Sequence, residues 1–280
     1  MRILVTGSAG MIGSHLVLQL LKDGYEVIGV DKKLAEYDGL YEHFEIDLGD
    51  KSSLNRLFEE KKIDRVIHLA ALAHATGGKN YPKKLYEHLN VECANNVFEI
   101  ASKFNVPVLF ISTVDVFGFQ KGIVNSNTAC KPVTIYGKTK YCAEQLLEQS
   151  GCSYTIFRFS PVYTKEIKRD IQKRIYLKYP NWAYQIGKNT EYEVLNIDKA
   201  VVEMVNWCKQ DASNDLRVIK DSELLQTQKY INEEKNEGRA KHVLHFPRWI
   251  VLVGYGILRI TGKNKYTFLI NKAVHPMRSE

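Results

Sequence analysis

A strand, a glycine turn and the first turn of a helix follow one another at the start of the chain, and this succession most constrains the fold. Residues 2–5 form a short, β-branched and mainly apolar run, as expected for an interior parallel strand. Gly7 allows a tight turn, Gly10 lets a phosphate approach the backbone, and Gly13 lets the next helix lie close to the sheet. The segment predicts a site for a dinucleotide pyrophosphate at a helix N-terminus. Because the spacing is G-x-x-G-x-x-G rather than G-x-G-x-x-G, a glycine-rich turn without a ligand is the alternative.

Acids follow the second and third predicted strands. Asp31 lies about 20 residues past the glycines, where a carboxylate can accept both ribose hydroxyls of adenosine and repel a 2′-phosphate. Lys32 and Lys33 oppose that preference, because a nearby cation could hold a phosphate. Asp47 could accept a hydrogen bond from the adenine amino group, with a solvated loop acid or a helix cap as the alternative. We therefore predict NAD, rather than NADP, as the cofactor.

Tyr136 and Lys140 are one helical turn apart and share a helix face. A tyrosine with the ordinary pKa of about 10 is a poor base at neutral pH, and an adjacent ammonium favours its phenolate. The pair therefore suits general acid/base catalysis, with a solvated helix face as the alternative. Thr113 follows the predicted strand 108–112, where its hydroxyl could bond a substrate oxygen; an ordinary turn residue is the alternative.

In this order the motifs resemble the extended short-chain dehydrogenase/reductases, the group of NAD-dependent sugar epimerases and dehydratases. The resemblance covers roughly residues 1–205 and is carried by TGSAGMIG (6–13), Asp31, Asp47-Leu48, His68-Leu69-Ala70-Ala71, Asn90-Val91, Ser112-Thr113, Tyr136-x-x-x-Lys140 and Arg158. It implies that Tyr136 is the acid/base, that Lys140 bonds the nicotinamide ribose, and that Thr113 is the hydroxyl partner.

The cofactor-binding residues predicted from the glycine turn, the acids and the resemblance lie along the carboxyl ends of the strands. They are Gly7, Gly10, Met11, Ile12, Gly13, Asp31, Lys32, Asp47, Leu48, Leu69, Ala70, Ala71, Asn90, Tyr136, Lys140 and Phe159. The resemblance implies that Ala70 and Ala71 line the cleft with their backbone and that Asn90 lies near the cofactor. No metal ligands are predicted.

A closer resemblance is to a bacterial subgroup that acts in surface-polysaccharide synthesis. It is carried by residues 68–74, 113–118 and 136–144. This subgroup includes UDP-sugar 4-epimerases, undecaprenyl-diphosphate-linked N-acetylhexosamine 4-epimerases and 4-keto-6-deoxyhexosamine reductases. The resemblance implies an NAD-dependent 4-epimerase of a nucleotide- or lipid-diphosphate-linked hexose or N-acetylhexosamine, acting by transient 4-keto oxidation.

Other functions stay open at this point. The same three residues would serve an NAD(P)H-dependent 4-keto-sugar reductase, and Asp115 would serve a dehydratase unless it is only a strand-exit residue turned to solvent. A non-catalytic dinucleotide-binding scaffold is a third candidate, of another class. The family's R-P-x-x-V-Y-G also lacks its final glycine here, because Thr164 stands in that place.

The alternation of strands and helices predicts a doubly wound parallel (Rossmann) sheet with a smaller C-terminal substrate lobe. The six predicted strands lie near 2–6, 26–30, 43–46, 65–69, 107–112 and 154–159. We predict a cofactor-binding domain over 1–160 and a lobe over 161–280, with some return to the main domain near 195–208. The five cysteines show no C-x-x-C spacing, and their odd number favours a reducing compartment without structural zinc. The chain begins directly in the first strand, so we expect no signal peptide and a cytoplasmic location. A homodimer is expected from the resemblance.

The whole net charge of +7 lies in the last 42 residues, since 239–280 hold eight Lys and Arg and one acid. This tail contains an apolar run between Arg248 and Arg259 that is too short to span a bilayer. A basic, aromatic-bearing helix of this kind could contact the inner face of the membrane peripherally. Alternatively it packs on the lobe, and its cations meet a nucleotide diphosphate or solvent. Nucleic acid is not an expected partner, because no binding motif accompanies the charge.

Overall fold

The computed structural model describes residues 1–34, 39–73, 81–120, 122–164, 169–177, 182–260 and 264–280. In chain order its strands are β1 (Arg2–Thr6), β2 (Glu26–Asp31), β3 (Glu42–Glu45), β4 (Arg65–His68), β5 (Val108–Thr113), β6 (Ile123–Val124), β7 (Tyr154–Phe159), β8 (Val162–Tyr163), β9 (Ala183–Ile186), β10 (Glu191–Tyr192), β11 (Leu195–Asn196), β12 (Asp215–Ile219), β13 (Leu225–Gln226), β14 (Val243–Phe246) and β15 (Arg278–Ser279).

The helices alternate with these strands over the first two hundred residues or so. They are α1 (Met11–Lys22), α2 (Lys51–Lys61), α3 (Lys83–Glu87), α4 (Cys93–Lys103), α5 (Ile135–Gln149), α6 (Arg169–Ile175), α7 (Ile197–Cys208), α8 (Thr227–Asn236), α9 (Arg248–Ile260) and α10 (Asn264–Val274). A π-helical turn (His88–Glu92) joins α3 to α4, and a 3₁₀ helix (Val114–Phe117) follows β5.

Seven parallel strands form the central sheet, in the spatial order β12-β7-β5-β4-β1-β2-β3. The strand order reverses between β1 and β4, and sheets of this kind bind ligands outside the carboxyl ends of the strands at such a point. Helices α1 and α7 bury apolar side chains on one face, and α2, α4 and α5 do so on the other. This architecture confirms the predicted doubly wound parallel sheet.

Strand β12 is absent from the six strands that the sequence predicts. It is an edge strand in which Asp215 and Arg217 pair with each other between apolar residues, so its hydrophobic pattern is weak. The chain reaches it after the lobe, through α7, which packs against α1. Residues after 194 thus contribute to the main sheet, and the domain limits 1–160 and 161–280 stay a prediction.

The lobe has a small core of its own. Its buried apolar residues are Ile171, Ile175, Ala183, Tyr192, Val194, Tyr230, Ile231 and Ala240. The sequence did not reveal the inner side of α8, where Tyr230 and Ile231 are buried. Glu234 on the same side is also buried, where Arg239 and the Tyr176 hydroxyl bind its carboxylate. The charged composition of this segment conceals that inner side.

Helices α9 and α10 pack against each other in the tail. No residue of α9 is buried, although most of its residues are apolar. Among the described helices none is long and apolar enough to cross a membrane.

Candidate active site

The glycine turn between β1 and α1 leaves no room for side chains. A Cβ at Gly7 would lie 2.8 Å from the Ala70 backbone nitrogen, and Gly7 has a φ of +74°. A Cβ at Gly13 would lie 2.1 Å from the carbonyl oxygen of Gly7. Gly10 precedes α1 and, among the described residues, no side chain caps this helix end. The first N–H groups of α1 therefore remain for an anionic ligand, as a pyrophosphate requires.

Asp31 lies beside this turn at the end of β2. Its carboxylate accepts hydrogen bonds from the backbone N–H groups of Ala9 and Lys33, each at 3.1 Å. Lys32 points its ammonium at Asp47 instead, with 2.9 Å between Nζ and the carboxylate oxygen. One of the two cations that could have held a 2′-phosphate, Lys32, is thus engaged elsewhere, and this favours NAD.

Asp47 occupies the loop after β3. Its carboxylate accepts a hydrogen bond from the N–H of Gly49 at 2.9 Å, and this bond together with Lys32 lowers the pKa of Asp47. The helix-cap alternative is wrong for Asp47, because Asp50 caps α2 by accepting from Ser52 and Ser53. The neighbouring Leu48 is buried, and its carbonyl accepts from the Asn96 side chain at 2.9 Å. The loop is therefore held in place with one carboxylate at the surface.

Tyr136, Lys140 and Glu144 follow one another along one face of α5. Thr134 caps this helix by accepting from the N–H of Gly137, where a Cβ would lie 2.7 Å from the Asp115 carbonyl oxygen. Lys140 is almost fully buried, with Nζ 3.8 Å from the centroid of the Phe110 ring. Burial lowers the pKa of Lys140 to about 7, and the Glu144 carboxylate partly opposes that shift. The ammonium is thus held where its charge is costly, which is common for functional lysines.

Glu144 anchors α5 to two strands of the sheet. Its carboxylate accepts from Nη2 of Arg158 at 2.7 Å and from Nε at 3.1 Å, with both side chains buried. The Ser112 hydroxyl donates to the same carboxylate. The Arg158 guanidinium also lies 4.8 Å from the centroid of the Phe117 ring. Sequence analysis included Glu144 and Arg158 in motifs without giving either a role; the signal was a charged residue inside the apolar strand β7.

Asn90 lies in the π-helical turn and connects the loop after β4 to α5. Its amide oxygen accepts from the N–H of Leu72 at 2.7 Å, and its amide nitrogen donates to the Leu72 carbonyl and to the Thr139 hydroxyl. These bonds engage both ends of the buried Asn90 side chain. They favour a role in positioning the cleft wall and α5 rather than direct contact with a ligand.

His68 is buried between the strand that precedes the glycine turn and the aromatic rings of Phe98 and Phe110. Its Nδ1 lies 2.8 Å from the Thr6 hydroxyl, and Nε2 has no hydrogen-bond partner in the described parts of the chain. Burial, aided by Lys140, lowers the pKa of His68 to about 3. His68 therefore stays neutral at physiological pH. Next to it, Leu69, Ala70 and Ala71 lie along the edge of the cleft, where the Leu69 N–H donates to the Thr6 carbonyl.

A cavity of about 650 Å³ brings the separate parts together. Met11 and Ile12 from the glycine turn, Thr113 and Tyr136 line it, as does Phe159 at the end of β7. Its volume is within the range of small-molecule sites. The cavity therefore joins the cofactor side of the molecule to the predicted acid/base and hydroxyl residues.

The opposite wall comes from the lobe and the tail, and sequence analysis did not predict most of it. Arg174, Tyr184, Val251 and Lys272 line the cavity from this side. Burial raises the pKa of Tyr184 to about 12. Lys272 pairs with Asp115, and so links α10 to the 3₁₀ helix after β5. Asp115 is therefore not simply turned to solvent, as one alternative expected.

Ser160 is a further residue that the sequence did not reveal. It lines the cavity, is almost fully buried, and its hydroxyl has no hydrogen-bond partner among the residues that the structure describes. Of the aromatic residues of the lobe, Tyr184 reaches the cavity, whereas Trp182 packs on His242. Residue 74, the last of the match over 68–74, lies outside the described residues.

Comparison with known proteins gives a family match over most of the chain. The model of the NAD dependent epimerase/dehydratase family matches residues 3–205. The chain is 34% identical over 174 residues to a UDP-glucose 4-epimerase of Caenorhabditis elegans, which covers 54% of this chain and 50% of that protein. A UDP-glucose 4-epimerase of Lactobacillus helveticus is 29% identical over 169 residues, and the match covers 57% of this chain and 51% of that protein. The chain thus spans about half the length of the curated relatives it matches.

Solved structures resemble the fold over a longer range. A UDP-glucuronic acid 4-epimerase from Bacillus cereus in complex with NAD has a TM-score of 0.74 at 24% identity, covering 89% of this chain and 88% of that one. A UDP-Glc/GlcNAc 4-epimerase from Campylobacter jejuni has a TM-score of 0.74 at 20% identity, covering 88% and 87%. At these identities the likeness establishes the fold, including the lobe beyond residue 205.

Proposed function

The chain belongs to the NAD dependent epimerase/dehydratase family, and on that premise we propose that it is an NAD-dependent 4-epimerase of a diphosphate-linked sugar. Because the family is NAD-dependent, its cofactor is the one that the sequence predicts. The relatives named above carry out 4-epimerisation of UDP-sugars by name. The finer features, which are the sugar, its carrier and a place in surface-polysaccharide synthesis, are part of the proposal.

The residues of the cleft fit NAD. The contacts that a Cβ would make at Gly7 and Gly13 keep the turn tight, and the N-terminus of α1 is left for a pyrophosphate. Asp31 offers a carboxylate to an adenosine ribose, and Asp47 offers one to an adenine amino group. When bound, NAD supplies an acceptor for the hydride at sugar C4 and returns it to either face.

The reacting proton is assigned to Tyr136. Its phenolic oxygen would take the proton of the C4 hydroxyl during oxidation and give it back after the 4-keto sugar has turned over. Lys140, one turn further along α5, favours the phenolate while it is an ammonium and can bond the nicotinamide ribose. Thr113 accepts a hydrogen bond from the N–H of Asp115 at 3.2 Å, so its own O–H proton can be donated to the substrate oxygen.

One observation carries this proposal: a single cavity is lined by the first residues of α1, by Thr113 and by Tyr136. The residues proposed to bind the cofactor, to donate a hydroxyl hydrogen bond and to act as the acid/base therefore face the same cavity. Arg174 and Lys272 line that cavity too and are the cations assigned to a substrate diphosphate. The unpartnered Ser160 hydroxyl is assigned to a hydroxyl of the sugar.

A 4-keto-sugar reductase is the second candidate, because it would use Thr113, Tyr136 and Lys140 in the same way. The dehydratase alternative needs Asp115 as an acid, and its ion pair with Lys272 weighs against that role. The scaffold alternative is disfavoured by the presence of all three residues at or near one cavity. A cytoplasmic location and a homodimer stay predictions.

The experiment starts with the ligand that the freshly purified, denatured protein releases, identified by mass spectrometry and absorbance. The protein is then incubated with UDP-N-acetylhexosamines without added cofactor. An epimerase of a nucleotide-linked sugar yields bound NAD and a mixture of 4-epimers, because the cofactor is regenerated in each cycle. Bound NAD without turnover of these soluble sugars would indicate a lipid-linked substrate instead. A protein that turns over only a keto sugar, and consumes added NADH or NADPH, would replace this proposal by the reductase.

Replacing Tyr136 by Phe removes only the phenolic oxygen and serves as the matched variant. Removing a general acid/base lowers the rate by about a hundredfold to ten-thousandfold. We expect a loss of turnover in this range while the amount of bound NAD is unchanged. Turnover by Tyr136→Phe at the wild-type rate would contradict the assigned role of Tyr136.

A further inference from the structure

We propose that the exposed face of α9 binds the surface of an anionic lipid membrane. This exposed face consists of Trp249, Val253, Gly256, Ile257 and Ile260. Of these side chains, Trp249 is 66% exposed, Val253 56%, Ile257 58% and Ile260 89%. The residues recur every three or four positions, so they lie along one side of the helix. A continuous apolar surface of this kind marks an interaction site rather than an isolated exposed side chain.

The opposite side of α9 is already used within the protein. Val251 lines the cavity, and the Tyr255 hydroxyl donates to the Asn271 side chain of α10 at 3.0 Å. The ring of Tyr255 also packs on that of His275. These contacts set the orientation of the helix, and they direct the exposed face away from the cavity.

The charge of the tail distinguishes between two possible partners of this face, a second copy of the chain and an anionic lipid surface. The tail over 239–280 carries eight Lys and Arg and one acid. Arg239, Lys272 and Arg278 pair with acids elsewhere in the chain, so only part of this charge is available to a partner. Two copies joined through α9 would bring together the exposed arginines at the ends of the two helices, and these like charges would repel. An anionic lipid surface has the complementary sign and attracts basic segments near it. The exposed Arg248 and Arg259 lie near the two ends of the apolar face.

The dimensions of α9 suit a helix that lies in the membrane surface. Its 13 residues are too few to span a bilayer, and Trp249 stands at one end. Indole rings prefer the boundary between headgroups and acyl chains. An amphipathic helix buries its apolar side at this boundary and keeps its cations among the anionic headgroups.

Membrane contact through α9 would also determine how far the cavity lies from the lipid surface. Because Val251 lines the cavity from the other side of α9, about one helix diameter, roughly 10 Å, separates the cavity from the lipid surface. The diphosphate and sugar of a lipid-linked substrate extend from that surface into water. The structure thus favours a lipid-diphosphate-linked sugar; this substrate class rests on the proposed function, whereas the membrane contact does not.

The test is co-sedimentation of the full chain with vesicles, without any sugar. Vesicles of phosphatidylcholine alone are compared with vesicles that contain about one third phosphatidylglycerol. We expect binding to the anionic vesicles only, and weaker binding as salt is raised. Replacing Val253 and Ile257 together by Ser should lower the partition coefficient at least about tenfold, because two apolar side chains lose their burial in lipid.

The matched control is Val202→Ser, which removes a side chain that is 51% exposed on α7. It should bind vesicles like the wild-type chain. A second readout is tryptophan fluorescence, since anionic vesicles should shift the emission to the blue in the wild-type chain and not in Trp249→Phe. This readout needs no change in the core and holds even if the double variant folds poorly.

Three outcomes would overturn the proposal. The first is a wild-type chain that does not sediment with anionic vesicles at low salt, and the second is a double variant that sediments as well as the wild type. The third is a wild-type chain that self-associates in light scattering and ignores vesicles, while the double variant is monomeric; this result would assign the face to a second copy. Turnover of soluble UDP-N-acetylhexosamine is measured in parallel, so failure of the reaction and failure of membrane binding are seen separately.

Discussion

Two ion pairs hold the walls of the cavity, and they differ in their surroundings. Glu144 and Arg158 join α5 to β7 with side chains that are 1% and 5% exposed. Asp115 and Lys272 join the 3₁₀ helix to α10 with side chains that are 20% and 30% exposed. The first pair lies in the sheet domain, where removal of one partner leaves the other charge buried and unpaired. The second lies where the tail meets water, and it can open at small cost.

The difference in burial between the two ion pairs indicates which wall of the cavity is rigid. The acid/base role proposed for Tyr136 requires a fixed position of its phenolic oxygen, and the buried pair holds the helix of Tyr136 through Glu144. The tail wall contacts the sheet domain through Lys272, whose ion pair with Asp115 is partly exposed. It is suited to admit a substrate or to meet a partner.

Breaking the buried pair gives the largest expected effect on stability. Arg158→Met leaves the Glu144 carboxylate buried without its partner, which costs about 3–5 kcal/mol. Urea unfolding of this variant should show that loss. The double variant Arg158→Met with Glu144→Met should recover much of it, because the uncompensated charge is gone. A single variant as stable as the wild type would mean that the pair does not anchor α5.

The pH dependence of stability tests the buried region of the sheet domain a second time, through Lys140. The pKa of Lys140 is about 7 in the folded protein and 10.5 when unperturbed, so the unfolded chain retains a proton that the folded chain has released between these values. The free energy of unfolding should therefore rise from pH 7 towards pH 10, by at most about 1.4 kcal/mol per pH unit.

Lys140→Met should lack this rise, and it should be more stable than the wild type near pH 7 while losing activity. Lys138→Met is the matched control, because Lys138 is an exposed lysine of the same helix. Urea titrations at several pH values provide the measurement. If the free energy of unfolding changes with pH equally in the wild type and in Lys140→Met, burial does not lower the pKa of Lys140.

The tail pair should have the smallest effect on folding. Lys272→Met removes a partly exposed partner of Asp115, and such pairs contribute about 0–1 kcal/mol. The thermal midpoint should hardly move, whereas KM for a sugar diphosphate should rise because a cation of the cavity is lost. Asp115→Asn breaks the same pair but retains the cation, so its KM should stay near the wild-type value. A large loss of stability in both variants would place the pair with the rigid region.

Local sequence patterns were sufficient to predict six of the seven strands of the central sheet and the edge that binds the cofactor. The six strands around the glycine turn, the helix that carries Tyr136 and Lys140, and the acid after β2 each depend on neighbours a few residues away, so the sequence reveals them. Strand β12 and the buried side of α8 were missed because their apolar residues are too few to stand out among charged ones. The role of Glu144 was missed for a related reason, since its partners on β5 and β7 are distant in sequence.

Local patterns in the sequence therefore predict the fold of the first half and the NAD cofactor, whereas the reacting groups that they indicate stay a proposal. The tertiary structure alone decided that Lys32 turns to Asp47, that Lys272 holds Asp115, and that Ser160, Arg174 and Tyr184 reach the cavity. It also decided that α9 turns one apolar side to solvent. These features depend on contacts between segments many residues apart, whose free energy no local pattern encodes.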